Sequence, residues 1–566
     1  MAVKAIIIYK DMKKFFNSYI CPAVILILSI FGMKAFFHPG LFTAHDIWHQ
    51  VVRLQYYWQA VNDGQFPPYW IGQLANSFGY PLFVFSYHLP WILGTSLLSI
   101  GLDIPNTLKT LFFLSYISSG LTMYFFIKNL LRNRLAALLS SILYLWLPYH
   151  FLIIFVGGSI GIAFVFTFLP LIFLGIQRIK EESRFGIPIL ALGLSGVTLS
   201  HIMHLIFLSP IILLFLVWGL TNTNRRGVFL KNIGLGIILS LLISSFYLIP
   251  AFYYNQFTRV HQETGFYEVY KRNFINFNQL IYSKWGFSPI VNNAKNGEIS
   301  FQLGFAQWIS ILSLLLLIIF NKLSKENKTL SAYLLISFIV SILLMLDISK
   351  AIWAFLVKFT TIDFPFRLIL PATFIASISA GIIVANIKNR LQILIFILLI
   401  IIAIYTNRNH ININQYTNFP ISTYLKLETE ITTNTFNEYL PLQASGKLLN
   451  KPWDAIVGEN IVSSNVSQKT NILSFDLNVK KEGIFSIGQF YFPGQYLYLN
   501  DKKIKLNYDK DGRIIFTAPQ GKYKVKVKYQ EPLLIKISKG LTVIGILLML
   551  FVLLTDIKLF KQKFHF

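Results

Sequence analysis

Apolar residues fall in long blocks along this chain, separated by short polar stretches, and the blocks have the length of bilayer crossings. A spanning helix needs about 20 mostly apolar residues. Runs of that kind occur near 19–37, 107–127, 135–152, 161–177, 186–201, 204–220, 233–253, 302–320, 330–346, 368–385, 391–405 and 537–555, which predicts twelve spanning helices. The polar stretches set their orientation. Lys4/Lys10/Lys13/Lys14, Lys128/Arg132/Arg134, Arg178/Lys180/Arg184, Arg225/Arg226/Lys231, Lys322/Lys325/Lys328, Lys388/Arg390 and Lys558/Lys561/Lys563 all fall on one side, so both termini are expected in the cytoplasm. The alternation works only if Pro81 to Ile100, interrupted by His88 and Pro90, stays out of the count as a re-entrant or interfacial piece on the outer side. No small-residue cleavage site follows the first run, which reads as an uncleaved helix. The two shortest runs, 186–201 and 204–220, share one block, with His201 and His204 at their outer turn.

After residue 405 the period changes. ILSFDLNV, FSIGQFYF, QYLYL, RIIFTA and KYKVKVKY alternate and are separated by turn signals such as DKDG and PQG. The expected architecture is a polytopic α-helical membrane part over 1–405, with long outer loops at 38–106 and 254–301. It is followed by a sandwich-like β domain over 406–536 outside the membrane, then a last span and basic tail over 537–566.

Composition agrees with that picture. Hydrophobic residues are 55% of the 566 positions, charged residues 13%, and mean hydropathy is +0.58, which excludes an ordinary soluble domain. A net charge of +26 would suggest nucleic acid in a soluble protein. Here many of the cations flank apolar runs, so nucleic acid is not an expected partner. The single cysteine, Cys21, has neither a disulfide partner nor a metal-ligand neighbour.

Candidate chemistry begins with HDIWHQVVR, residues 45–53, just outside the first span. Ile47, Val51, Leu54, Trp58 and Val61 form one helical stripe, which predicts an interfacial helix. At about 100° per residue, Asp46, His49 and Arg53 share an arc of roughly 60° away from that stripe. A carboxylate, an imidazole and a guanidinium that converge suit a substrate with a phosphate and a hydroxyl: Arg53 for the phosphate, Asp46 for a proton or a metal ion. The competing reading makes Asp46 a helix N-cap and leaves His49 and Arg53 facing water or headgroups. Arg367, in DFPFR, could reach the same phosphate with Asp363 as its ion-pair partner, or could snorkel to the interface. His201 and His204 have a metal-binding spacing without an identifiable third ligand, which favours structural roles. In the aromatic-rich loop 254–300, Arg259 and Glu263 are candidates to meet a sugar acceptor, against the reading of an ordinary interfacial loop. GGSIG at 157–161 reads as a tight outer turn, and HExxH and GxSxG are absent.

The stretch from His45 through HLPW at 88–91 resembles the first outer loop of the bacterial YfhO-like and "6-pyruvoyl-tetrahydropterin synthase-related" membrane families, themselves similar to C-type (GT-C) glycosyltransferases. LYLWLPYHF (143–151), LSHIMHL (199–205), FPFRLILP (364–371), EYLP (438–441), YFPGQYLYLNDKKI and DGRIIFTAPQGKYKVKVKY follow in the same order, with PGQ where PGW is usual. The resemblance implies a glycosyltransferase of the bacterial cytoplasmic membrane. Asp46 would be its catalytic base or the ligand of a divalent cation such as Mg or Mn, Arg53 would meet the lipid phosphate, and His45 would cap the helix or line the entrance. It further implies a polyprenyl-phosphate-linked sugar as donor and an envelope glycan or lipid as acceptor. No inner loop is long enough for a nucleotide-sugar domain, in keeping with a lipid-borne donor. The alternatives are a transporter or flippase of lipid-linked saccharide and a noncatalytic envelope scaffold.

Overall fold

The computed structural model describes residues 19–262, 268–360, 362–428, 432–434 and 436–563. The first basic cluster lies outside them. Among the described residues, eight helices are long and apolar enough to cross a membrane: Ile104–Leu131, Ile160–Lys180, His204–Thr221, Arg226–Ile243, Lys325–Met345, Pro365–Asn386, Asn389–Thr406 and Leu533–Thr555. That is the mark of a multi-pass membrane protein. The run at 135–152 is a broken pair, Arg134–Leu145 and Pro148–Gly157, bent by 45°. Pro148 explains the break: Leu147, the residue before it, is extended at φ −85° and ψ 138°, where a helix cannot continue. The runs at 19–37, 186–201 and 302–320 are helical but shorter, as Tyr19–Gly32, Gly186–His201 and Phe305–Ile319.

Burial separates inner from outer helices. Ile160–Lys180 and Pro365–Asn386 are 89% and 94% buried over their apolar windows, whereas Asn389–Thr406 and Leu533–Thr555 are 11% buried and present apolar side chains outward. Ile160–Lys180 packs closely on Gly186–His201 because glycine removes the obstacle. A Cβ on Gly193 would lie 2.6 Å from the Ile172 nitrogen, and one on Gly175 2.5 Å from the Leu190 nitrogen.

Two stretches outside the long apolar helices are themselves helical. The 81–100 stretch forms an eleven-residue helix, Leu89–Ser99, too short to cross, and His88 at its start is fully buried with Nδ1 3.1 Å from the Tyr57 hydroxyl. The helix Ile47–Asn62 buries more of its circumference than one stripe. Gln50, Val52, Tyr56, Tyr57 and Ala60 are buried along with Ile47, Val51 and Leu54 of the predicted stripe, while Trp58 and Val61 are half-buried, because Leu89–Ser99, Ile104–Leu131 and Ile421–Glu428 all pack against it.

The alternating segments form two antiparallel sheets. One has the order Ile461–Gln468, Ile472–Val479, Gly521–Tyr529, Gln495–Leu499, Lys502–Ile504; the other Ile456–Val457, Gly483–Phe490, Arg513–Ala518, Asn507–Tyr508. Phe475, Leu477 and Val525 of the first share a core with Phe485, Ile487 and Phe516 of the second. The sheets occupy only 456–529. Before them, Tyr416–Thr417 pairs with Leu41–Phe42 and Ile421–Glu428 packs on Ile47–Asn62, so these segments lie on the helical part instead. The sheets also rest on the stretch that holds Trp70 and Phe78. Phe490 N donates to Phe78 O at 2.7 Å, and Trp70 stacks on Phe492 and Tyr529.

Candidate active site

After the break at Pro148 the helix loosens into a π turn, Leu152–Gly157, and stops at Gly158 in the left-handed region (φ +62°). The carbonyls this leaves free receive the start of the helix Ile47–Asn62. His45 N donates to Val156 O at 2.9 Å, Asp46 N to Gly157 O at 2.8 Å, and Gln50 Nε2 to Gly158 O at 3.1 Å. GGSIG is thus a turn, as expected, and its work is to seat Asp46.

Asp46 occupies the N-cap position, yet its side chain makes no capping bond. Its backbone is helical (φ −97°, ψ 0°), not in the β-region geometry typical of residues whose side chains turn back onto the first helical N–H groups. The carboxylate instead lines a cavity of about 230 Å³, together with His45, Tyr149, Ser159 and Arg367. Phe364, Ile290 and Ile153 close its walls. His45 holds its ring by an Nε2 contact of 2.9 Å to Phe287 O. The Tyr149 residue is 1% exposed, and its hydroxyl has no hydrogen-bond partner among the described residues.

Arg367 does not snorkel. It is 9% exposed, donates from Nη1 to Asp363 Oδ1 at 2.7 Å, and lies 4.8 Å over the Phe364 ring. Phe364 precedes Pro365 and is extended (φ −125°, ψ 96°), which presents Asp363 and Arg367 on the same side as the expected i,i+4 pair.

The remaining candidates are dispersed. Arg53 is held by the loop at 433–434: Nε donates to Thr433 Oγ1 at 3.1 Å, and Nη2 to Thr433 O at 2.7 Å and Asn434 Oδ1 at 3.2 Å. It stays within electrostatic reach of Asp46 through Tyr87, whose phenol burial holds above its ordinary range, with Arg53 pulling it down and Asp46 pushing it up. His49 is half-buried and does not line the Asp46 cavity. His201 and His204 meet each other, Nδ1 to Nδ1 at 3.1 Å, apart from that cavity. Arg259 donates to Ala444 O at 3.2 Å and braces the 440–444 segment. Glu263 lies outside the described residues.

Among the described residues no three His, Cys, Asp or Glu side chains converge as a metal site. Asp46 and His45 by themselves do not fit a resident cation. Sequence reasoning missed Tyr149, and it missed Glu438 and Asn273, which line a second cavity beside the first. The motifs LYLWLPYHF and EYLP contain two of these three, with nothing local to single them out.

No family model matches the chain. It is 23% identical over 349 residues to an uncharacterized protein of Lactococcus lactis subsp. cremoris (strain MG1363), a match covering 60% of this chain and 54% of that protein. The chain therefore spans about half the length of the curated relative it matches. The solved cryo-EM structure of the arabinofuranosyltransferase AftD from Mycobacteria overlaps 73% of this chain and 28% of its own, at 10% identity and a TM-score of 0.46. At that score the overlap does not establish a common fold.

Proposed function

We propose that this chain is a membrane glycosyltransferase of the C type. It moves a sugar from a polyprenyl-phosphate donor to an envelope glycan or lipid at the outer face of the bacterial cytoplasmic membrane. The observation that carries the reading is the company Asp46 keeps: a carboxylate released from capping faces the same cavity as a buried, fixed arginine. Acid and cation in one apolar-walled space suit a displacement in which a proton is taken up as a phosphate leaves. The ordered motifs that resemble the YfhO-like families support the same class of reaction.

In this mechanism the acceptor hydroxyl oxygen attacks the anomeric carbon and its proton passes to the Asp46 carboxylate. The bond between that carbon and the lipid phosphate oxygen breaks, and the electron pair leaves with the phosphate. Arg367 neutralises that developing charge, and Asp363 keeps its guanidinium from turning away. Arg367 takes the phosphate role that the sequence suggests for Arg53, since the latter guanidinium is engaged by the 433–434 loop. His45 borders the cavity beside Asp46. The twelve-span topology, with cytoplasmic termini and the sheets outside, belongs to this proposal. A divalent cation enters it only as one shared between Asp46 and substrate oxygens, and no step depends on it.

The test is Asp46→Asn in cells, with envelope glycans compared by mass spectrometry among wild type, variant and deletion. The variant is expected to reproduce the deletion's missing glycan while remaining in the membrane, since loss of a general base lowers rate by about 10²–10⁴-fold. Wild-type glycans in the variant would overturn the proposal.

A further inference from the structure

A second cavity, of about 250 Å³, lies against the first and shares with it the side chains of Phe364 and Ile290. The Asp363–Arg367 ion pair crosses the partition, with Asp363 lining this cavity and Arg367 the other. Two of its polar groups are acceptors without donors. Glu438 is 6% exposed; its Oε1 accepts from Asn434 Nδ2 at 2.8 Å, while Oε2 is buried with no hydrogen-bond partner among the described residues. Asn273 is 2% exposed; its Nδ2 donates to Val269 O at 2.7 Å, which leaves Oδ1 in the same condition. Folded proteins keep few buried acceptors unpaired, because each one forfeits its hydration. Both belong to side chains that line one cavity, where an occupant brings the donors once the side chains turn towards it.

The walls narrow the choice of occupant. Phe364 and Val269 offer apolar surface, and Arg272 adds a cationic donor. A sugar ring matches all three features: hydroxyls donate to Glu438 Oε2 and Asn273 Oδ1, the C–H face lies on Phe364, and a further hydroxyl oxygen accepts from Arg272. A divalent cation is the other occupant that paired oxygens suggest. It takes about six or more oxygen ligands, whereas no three acidic or imidazole side chains converge among the described residues, and the Arg272 side chain lines the cavity as well.

We infer that the cavity between Glu438 and Asn273 is a saccharide-binding subsite, and that it holds the acceptor's sugar next to Asp46. That a sugar binds there stands on the cavity alone; that it is the acceptor rests on the transferase reading.

The full-length protein in detergent is tested by saturation-transfer NMR against a panel of methyl hexopyranosides, with methoxytetrahydropyran as a ring lacking hydroxyls. At least one hexopyranoside is expected to receive saturation from the wild type, and the control none. Glu438→Gln retains the bond from Asn434 and replaces the free acceptor with a donor, so binding should weaken by about tenfold, the loss of one hydrogen bond to a charged group. Val269→Phe fills the cavity without touching either oxygen and should abolish binding, with melting behaviour recorded for both variants. The inference is overturned if no hexopyranoside binds the wild type, if binding survives both substitutions, or if Mg²⁺ binds at the Glu438-dependent site and displaces the glycoside. The glycan comparison for Asp46→Asn reports separately, so a functioning subsite in a protein that transfers no sugar would be recognised as such.

Discussion

Replacing Arg53 with methionine keeps the length of the side chain and removes a clamp. The guanidinium makes three hydrogen bonds to residues 433 and 434, and Asn434 in turn donates to Glu438, so the substitution releases a loop that positions a second acid. The acceptors decide the magnitude. Thr433 is 1% exposed, so its carbonyl stays buried without a partner, at about 1–3 kcal/mol. Asn434 is half-buried and can turn to water, so its contribution is small. A local cost of about 2 kcal/mol follows, and since about 1.4 kcal/mol is tenfold, the loop should open roughly thirtyfold more often. Hydrogen–deuterium exchange followed by mass spectrometry reads this directly. The peptide carrying Thr433, Asn434 and Glu438 should exchange faster, while peptides in the buried helix Ile160–Lys180 do not change. Sugar transfer lost with exchange in that peptide unaltered would refute the clamp and return Arg53 to direct phosphate contact.

Gly158→Ala should damage the site from the opposite side, because the residue has φ +62° and its Cβ would lie 2.8 Å from the Ala44 Cβ. The expected cost is about 1–2 kcal/mol with loss of transfer, while Gly157→Ala, whose Cβ would come no closer than 3.5 Å to a neighbour, should retain both on a melting curve and a transfer assay. His410 gives a pH signature. Burial holds its pKa down at about 4, with Nε2 accepting from Gln302 Nε2 at 3.0 Å. The unfolded chain titrates near 6.5 and so binds more protons between those values, which makes stability complete above pH 6.5 and progressively lost towards pH 4, by up to about 3 kcal/mol. The melting temperature of the wild type should fall across that window, and His410→Leu should flatten the slope.

How far the fold could be read from sequence follows from the distances over which the signals act. Eight long apolar helices among the described residues were legible because bilayer thickness imposes a length on each run separately, and ILSFDLNV because a half-buried strand alternates whatever its partner. The helix at 47–62 was legible but its burial was not, since periodicity weighs each residue's own polarity. Val52, Tyr56 and Ala60 are buried by elements elsewhere in the chain that no local pattern announces. Residues 416–428 do not alternate, and nothing in them predicts that they pack on the helical part. The site divides in the same way. The Asp363–Arg367 pair has i,i+4 spacing and was readable, whereas Arg53 meets its partner 380 positions away, and Asp46 shares its cavity with a tyrosine and an arginine from two other helical segments.

The helix Ile47–Asn62 connects these observations, because it carries Asp46 at one end and Arg53 in its interior and is held at both ends. The Gly157–Gly158 turn fixes the first end. At the second, Asp63 Oδ2 accepts from Thr470 N at 2.9 Å and from Thr470 Oγ1 at 2.8 Å, so a residue preceding a sheet strand pins the helix that bears the acid. Asp63→Ala tests whether the sheets help to position the site. Thr470 is fully buried, and its N–H would lose its acceptor while its hydroxyl still accepts from Gln65 Nε2, so a cost of about 1–3 kcal/mol is expected. If the sheets steady the helix, proteolysis near 456–471 should quicken and sugar transfer should fall, although the substitution lies far along the helix from Asp46. Faster proteolysis with full transfer would mean that the turn alone sets Asp46 and that the sheets serve another purpose.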